Sequence, residues 1–92
     1  MNTDIAQKVV ELLNRLKNKK PLIHNITNYV TVNDCANILL AIGASPIMAD
    51  DLKESADITS IASALVINIG TLNERTIESM IASGKKANEL NI

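Results

Sequence analysis

Apolar residues recur along this chain with two alternating periods, and that alternation predicts its elements. Ile5, Val9, Leu12, Leu13 and Leu16 lie at offsets of four, seven, eight and eleven, which is one face of an α-helix. Lys17, Lys19 and Lys20 then set cations against the negative end of the helix dipole, and Pro21 forces a change of direction. Leu22 to Ile26 is short and apolar apart from His24 and Asn25, so it reads as a strand whose carboxyl end turns polar. From Thr31 the helical period returns with Val32, Ala36, Leu39 and Leu40, and Gly43 supplies the stop. Thr31 and Asp34 have capping-box spacing. Ala44 to Ala49 is extended around Pro46, with a strand expected at Pro46 to Met48 and proline at its start or on an edge.

Asp51 and Glu54 open a short helix running through Ala56 to Ala62. Ala64 to Ile69 is the clearest strand, and its near-continuous aliphatic character predicts that both its faces are covered. Gly70 and Thr71 form the next turn, with Thr71 and Glu74 again at capping-box spacing. The last helix is expected to bury Ile77, Met80, Ile81, Gly84 and Ala87 and to end near Leu90. The alternation predicts a further strand from Asn91 and Ile92 onward. The fold class expected is therefore α/β, with helices alternating with parallel strands.

Composition narrows the functions open to such a chain. With 92 residues, folding buries only about 60–65% of the surface, a poor size for a self-sufficient α/β enzyme. The apolar share of 47% is aliphatic, with Tyr29 the only aromatic residue. A net charge of −1 offers no basic footprint, and one aromatic makes no stacking platform, so nucleic acid is not an expected partner. Cys35 stands alone and cannot form an internal disulfide, no charged-then-apolar leader opens the chain, and the apolar runs are far too short to span a membrane. A cytoplasmic setting is expected.

Ligands of open parallel sheets bind beyond the carboxyl ends of the strands. Asn25 to Val30, Met48 to Asp51 and Asn68 to Thr71 occupy those positions. They offer amides, hydroxyls, a thioether and a glycine turn, which suits a small neutral heterocycle or alcohol better than a phosphate-rich ligand. Each residue also has a plain structural reading. His24 within a strand reads as a satisfied core or rim histidine, Asn25 and Asn28 as turn residues, Met48 as core filler and Cys35 as a small buried residue. Asp50, Asp51, Glu54 and Asp57 read as solvated acids opening a helix rather than a cation site. Gly43, Gly70 and Gly84 are isolated, so no glycine-rich phosphate loop is present, and one histidine with one cysteine cannot make a zinc site or a hydrolytic triad.

The segments PLIHNITNYVTVNDCANILLAIGASPIMAD and ALVINIGTLNERTIESMIASGKKANEL resemble the N-terminal part of the hydroxyethylthiazole kinase family, with HNITN, GASPIM and LVINIGTL in the family's order. The resemblance implies a ribokinase-like, Rossmann-like three-layer sheet, here incomplete. Residues 1–92 are then the N-terminal segment of a single domain whose nucleotide-binding part is absent. It also implies transfer of the ATP γ-phosphoryl group, supported by Mg2+, to 4-methyl-5-(2-hydroxyethyl)thiazole in thiamine salvage, by a trimer with pockets at subunit boundaries. Carried over residue by residue, Met48 is the thiazole contact, and Asn28, Val30, Gly70 and Thr71 line the same pocket. His24 and Asn25 receive no role. No ATP-binding, metal-binding or catalytic residue carries over, because the family's anion hole and its cysteine lie in later segments and Cys35 does not match that context. The alternative expectation is a noncatalytic remnant or a binding or oligomerisation module.

Overall fold

The computed structural model describes residues 3–92. Four helices and three strands alternate along it: α1 (Thr3–Lys19), β1 (Leu22–Ile26), α2 (Val32–Ile42), β2 (Ser45–Met48), α3 (Ser55–Ile61), β3 (Ala64–Ile67) and α4 (Glu74–Leu90). The strands form one parallel sheet in the order β2-β1-β3. β1 is therefore central, and it is the most deeply buried element, with Ile23, His24, Asn25 and Ile26 all enclosed. The α/β class with parallel strands is as the apolar pattern predicts. α2 packs against β2 and α3 against β1; the right-handed rule for parallel crossovers assigns such a pair of helices to opposite faces of the sheet. α4 packs along α3 and reaches β1 and β3, while α1 rests on α2.

β2 begins at Ser45, whose N–H donates to Pro21 O at 2.9 Å, and Pro46 follows as its second residue. Because β2 pairs only with β1, the missing proline N–H can face the free edge without breaking the ladder. α3 starts later than expected. Asp51 instead makes a turn, accepting Glu54 N and Ser55 N on its carbonyl and Lys53 N on its carboxylate, so the helix first forms at Ser55.

Neither predicted capping box forms. At the head of α2 the Thr31 side chain makes no cap bond and binds Asn28 Oδ1 instead. α4 is capped by Asn73 and Thr76 rather than by Thr71 and Glu74. Asn73 Oδ1 accepts Thr76 N at 3.0 Å while Asn73 N donates to Thr76 Oγ1, a reciprocal pair that a Thr/Asn exchange satisfies as well as the acidic version.

Two expectations about burial are corrected. β3 ends at Ile67, and Val66 and Ile67 are 45% and 37% exposed, because this strand lies at the edge of the sheet rather than inside it. The buried stripe of α4 is Thr76, Ser79, Met80, Ser83 and Ala87, while Ile77 and Ile81 line an open apolar groove with Ile67, Ile69, Leu72 and Met80. Most of that stripe is small and polar, and α4 packs along α3, as helices approach closely only where little stands between them. The apolar residues of α1 are likewise largely exposed, since α2 covers little of that helix.

Candidate functional site

The three strands point the same way, so their carboxyl ends deliver three loops to one edge of the sheet: 27–31, 49–54 and 68–73. A cavity of about 60 Å³ lies there, lined by Asn25, Thr27, Tyr29, Val32, Met48 and Asp50. Register places Asn25 level with Met48 on one side and Val66 on the other, so the buried amide and the thioether come from adjacent strands. Asn25 Nδ2 donates to Ile23 O at 2.9 Å, which fixes the side chain against its own strand.

His24 supports this wall from beneath. The fully buried ring places Nε2 2.7 Å from Ala49 O and Nδ1 2.8 Å from Thr59 Oγ1. A carbonyl can only accept, so Nε2 carries a proton and donates it to Ala49. The Thr59 hydroxyl faces both Nδ1 and Ser55 O, the latter at 3.0 Å. The histidine is thus a satisfied core residue, and it ties β1 to α3 and to the loop that follows Met48 and carries Asp50.

Asp50 is the one acid on the cavity wall, and Arg75 neutralises it at 3.1 Å. The same guanidinium donates to the Tyr29 hydroxyl and lies 5.6 Å from the centroid of that ring, within the range of a cation–π contact. Ser79 Oγ donates to Asp50 O at 2.6 Å, so α4 holds Asp50 by both its backbone and its side chain. Arg75→Ala is expected to lower stability by no more than about 1 kcal/mol, because the pair is partly solvated. Its larger effect falls on Tyr29, whose emission is the entire aromatic fluorescence of the chain. Acrylamide quenching of that emission should rise in the variant, and unchanged quenching would show that the clasp does not hold in solution.

The residues singled out by sequence divide into three groups. Met48 lines the cavity. Asn28 and Gly70 come together from different loops, a Cβ added to Gly70 standing 3.9 Å from Asn28 Nδ2. Val30 is 87% exposed and Thr71 is exposed, and neither lines the cavity. The plain reading of Asn28 as a turn residue also has its counterpart, since Oδ1 accepts both Thr31 N and Thr31 Oγ1. Cys35 is partly exposed rather than buried, with only a 3.9 Å approach to Thr27 Oγ1. Among the described residues no group of three or more His, Cys, Asp or Glu could hold a metal, and no helix is long and apolar enough to cross a membrane. Val32 and Arg75 fell outside the three segments picked from sequence. The position of Arg75 in the first turn of a helix that follows a strand end was the available signal.

The sequence profile described as the hydroxyethylthiazole kinase family matches residues 13–92. The chain belongs to the hydroxyethylthiazole kinase family. It is 83% identical, over its whole length, to a hydroxyethylthiazole kinase of Clostridium beijerinckii, of which it covers 33%. Against the enzyme of the same name from Ruminiclostridium cellulolyticum it is 72% identical over 98% of its length, again covering 33% of that protein. The solved structure of a hydroxyethylthiazole kinase protein from Pyrococcus horikoshii OT3 superposes with a TM-score of 0.88 at 46% identity, over 92% of this chain and 34% of that one. The chain therefore spans about a third of the length of the kinase-family relatives it matches.

Proposed function

We propose that this chain supplies the acceptor side of a hydroxyethylthiazole kinase, holding 4-methyl-5-(2-hydroxyethyl)thiazole while the γ-phosphoryl group of ATP passes to its hydroxyl in thiamine salvage. The observation that carries the reading is the cavity at the strand ends in a chain of this family. Its walls are uncharged except for Asp50, and Asp50 is already paired with Arg75. A neutral ligand can enter such a space without stranding a charge, whereas a phosphate would meet a carboxylate.

Met48 is the proposed ring contact, since a thioether packs well against a polarisable sulfur heterocycle. Asn28 and Gly70 form the proposed rim. Val30 and Thr71 are open to solvent and would reach the ligand from the mouth. A trimer with pockets at subunit boundaries would give those two residues a cover. At about 60 Å³ the cavity is far smaller than the roughly 300–1,000 Å³ of an enclosed ligand site, which fits a pocket completed by further polypeptide. In this reading residues 1–92 are the N-terminal segment of a single ribokinase-like domain, working in the cytoplasm.

ATP and Mg2+ are expected of the full-length family, and no residue of this chain is proposed to hold either. The described residues form no cluster for a metal, and Arg75 is committed to Asp50 and Tyr29, so no step is derived through either group. Phosphoryl transfer depends on positioning and charge stabilisation, and the share proposed for these residues is positioning of the alcohol. Calorimetric titration with the thiazole alcohol should give binding heat. Met48→Ala should weaken that binding about five- to tenfold through lost contact area, with the far-UV circular dichroism unchanged. Absence of heat both with the unaltered chain and with the chain continued to the length of its relatives would overturn the reading.

A further inference from the structure

Four side chains bridge the loops after β1 and β3, and two backbone N–H groups fix the direction of every proton among them. Thr31 N donates to Asn28 Oδ1 at 3.0 Å. A backbone N–H cannot accept, so the atom it meets is the amide oxygen, and Asn28 Nδ2 occupies the other corner of the side chain. Gly70 N donates to Asn68 Oδ1 at 2.9 Å and orients that amide in the same way, so Asn68 Nδ2 is the donor to Thr27 Oγ1 at 3.1 Å. Thr31 Oγ1 lies 3.0 Å from Asn28 Oδ1 and must direct its single proton there. Thr27 Oγ1, 3.0 Å from Thr31 Oγ1, is left as the donor between the two hydroxyls.

The chain of donors therefore runs from Gly70 N through Asn68, Thr27 and Thr31 and ends on Asn28 Oδ1, each bond polarising the next. With Oδ1 accepting twice, Asn28 cannot turn its oxygen outward without breaking two bonds. Its Nδ2 carries two protons and lies on the side that Gly70, having no Cβ, leaves open.

We infer that Thr27, Thr31 and Asn68 are positioning residues that lock the Asn28 amide as a donor, so that the site selects its ligand by an acceptor atom. This rests on the thiazole reading above. Within it the acceptor is the ring nitrogen. The alcohol oxygen is the nucleophile of the proposed reaction, and an N–H donating to it would reduce its basicity.

The test compares the thiazole alcohol with its thiophene isostere, which keeps shape and hydroxyl but lacks the ring nitrogen. Calorimetry on the unaltered protein should favour the thiazole by about five- to tenfold, the value of one hydrogen bond to a desolvated partner. Thr31→Val, which removes the hydroxyl bond to Asn28 Oδ1 and keeps the backbone one, should reduce that preference by weakening only the thiazole, and Thr31→Ser should restore it. Thr31→Val should add nothing in an Asn28→Ala background, a coupling that a merely structural role would not produce. Equal affinity for both ligands in the unaltered protein, or a preference undiminished in Thr31→Val, would overturn the inference and leave the thiazole reading standing. Failure of both ligands to bind either this chain or the chain continued to the length of its relatives would overturn the thiazole reading and the ligand half of the inference together. The relay is then read from the Asn28 side-chain NH2 resonances. Resonances displaced from free-amide values in the unaltered protein that move towards those values in Thr31→Val support the relay, and free-amide values in both proteins refute it.

Discussion

Replacing His24 by alanine is expected to remove about 3–4 kcal/mol of folding stability, the largest effect of any single substitution at the site. The ring is fully buried, so truncation leaves a cavity in the central strand, and a cavity of that kind costs about 2 kcal/mol or more. It also leaves Ala49 O without its 2.7 Å donor and Thr59 Oγ1 without its 2.8 Å partner, and a buried group deprived of its partner costs about 1–3 kcal/mol. A domain of this size holds a net stability of about 5–10 kcal/mol, so the variant should approach half-unfolding at a much lower urea concentration. Two milder substitutions separate the two bonds. His24→Gln can still send an amide proton towards Ala49, whereas His24→Asn can reach only Thr59. Hydrogen exchange at Ala49 and Asp50 should therefore stay slow in the Gln variant and become fast in the Asn variant. Equal exchange in both would mean that His24 does not anchor the loop after β2.

The apolar pattern revealed the alternation of helix and strand because β1 and its neighbours alternate with helices of a different period. It did not reveal which side of α4 is buried. Counting apolar residues selects Ile77 and Ile81, but the side chains that α4 encloses include Thr76, Ser79 and Ser83. Those hydroxyls can be enclosed because neighbouring backbone oxygens accept from two of them, Thr76 Oγ1 donating to Asn73 O and Ser79 Oγ to Asp50 O and Arg75 O. Nothing in a one-dimensional period encodes those long-range and local acceptors. β3 misled for a related reason, since an aliphatic run has the same composition at the edge of a sheet as in its middle.

The position of the cavity was readable because parallel strands converge at their carboxyl ends, so Met48 and the polar residues after β1 could be placed beside it from the sequence. The partners of those residues were not readable. Arg75 reaches Asp50 across 25 positions and Tyr29 across 46, and Asn68 reaches Thr27 across 41. Such pairs depend on strand order, and placing β1 between β2 and β3 is a property of the crossovers rather than of any local segment. His24 shows the same division. Its burial followed from lying in a strand, while its hold on Ala49 needed the fold.

Gly43→Ala is expected to cost about 2–3 kcal/mol, for two reasons that can be separated. Gly43 ends α2 at φ +100°, and the turn is closed by Gly43 N donating to Leu40 O and Ala44 N to Leu39 O, the pairing of a Schellman cap. That φ lies beyond the left-handed well near +57° that other residues tolerate. A Cβ there would also stand 2.8 Å from Lys17 Cγ and 3.0 Å from Lys17 Cα. The first contact can be relieved by a side-chain movement, and the second requires α1 to shift as a body. Lys17→Ala in the Gly43→Ala background should therefore recover only part of the loss, as judged by thermal and urea unfolding of the single and double variants. The consequence extends to the site, because Ser45 N makes its bond to Pro21 O two residues after the cap. If the cap yields, β2 can slip by one residue along β1, and a one-residue slip turns every side chain of a strand to its other face. Met48 would then leave the cavity wall, so Gly43→Ala should reduce affinity for the thiazole alcohol as well as stability. Stability within about 0.5 kcal/mol of the unaltered chain would contradict the strain argument.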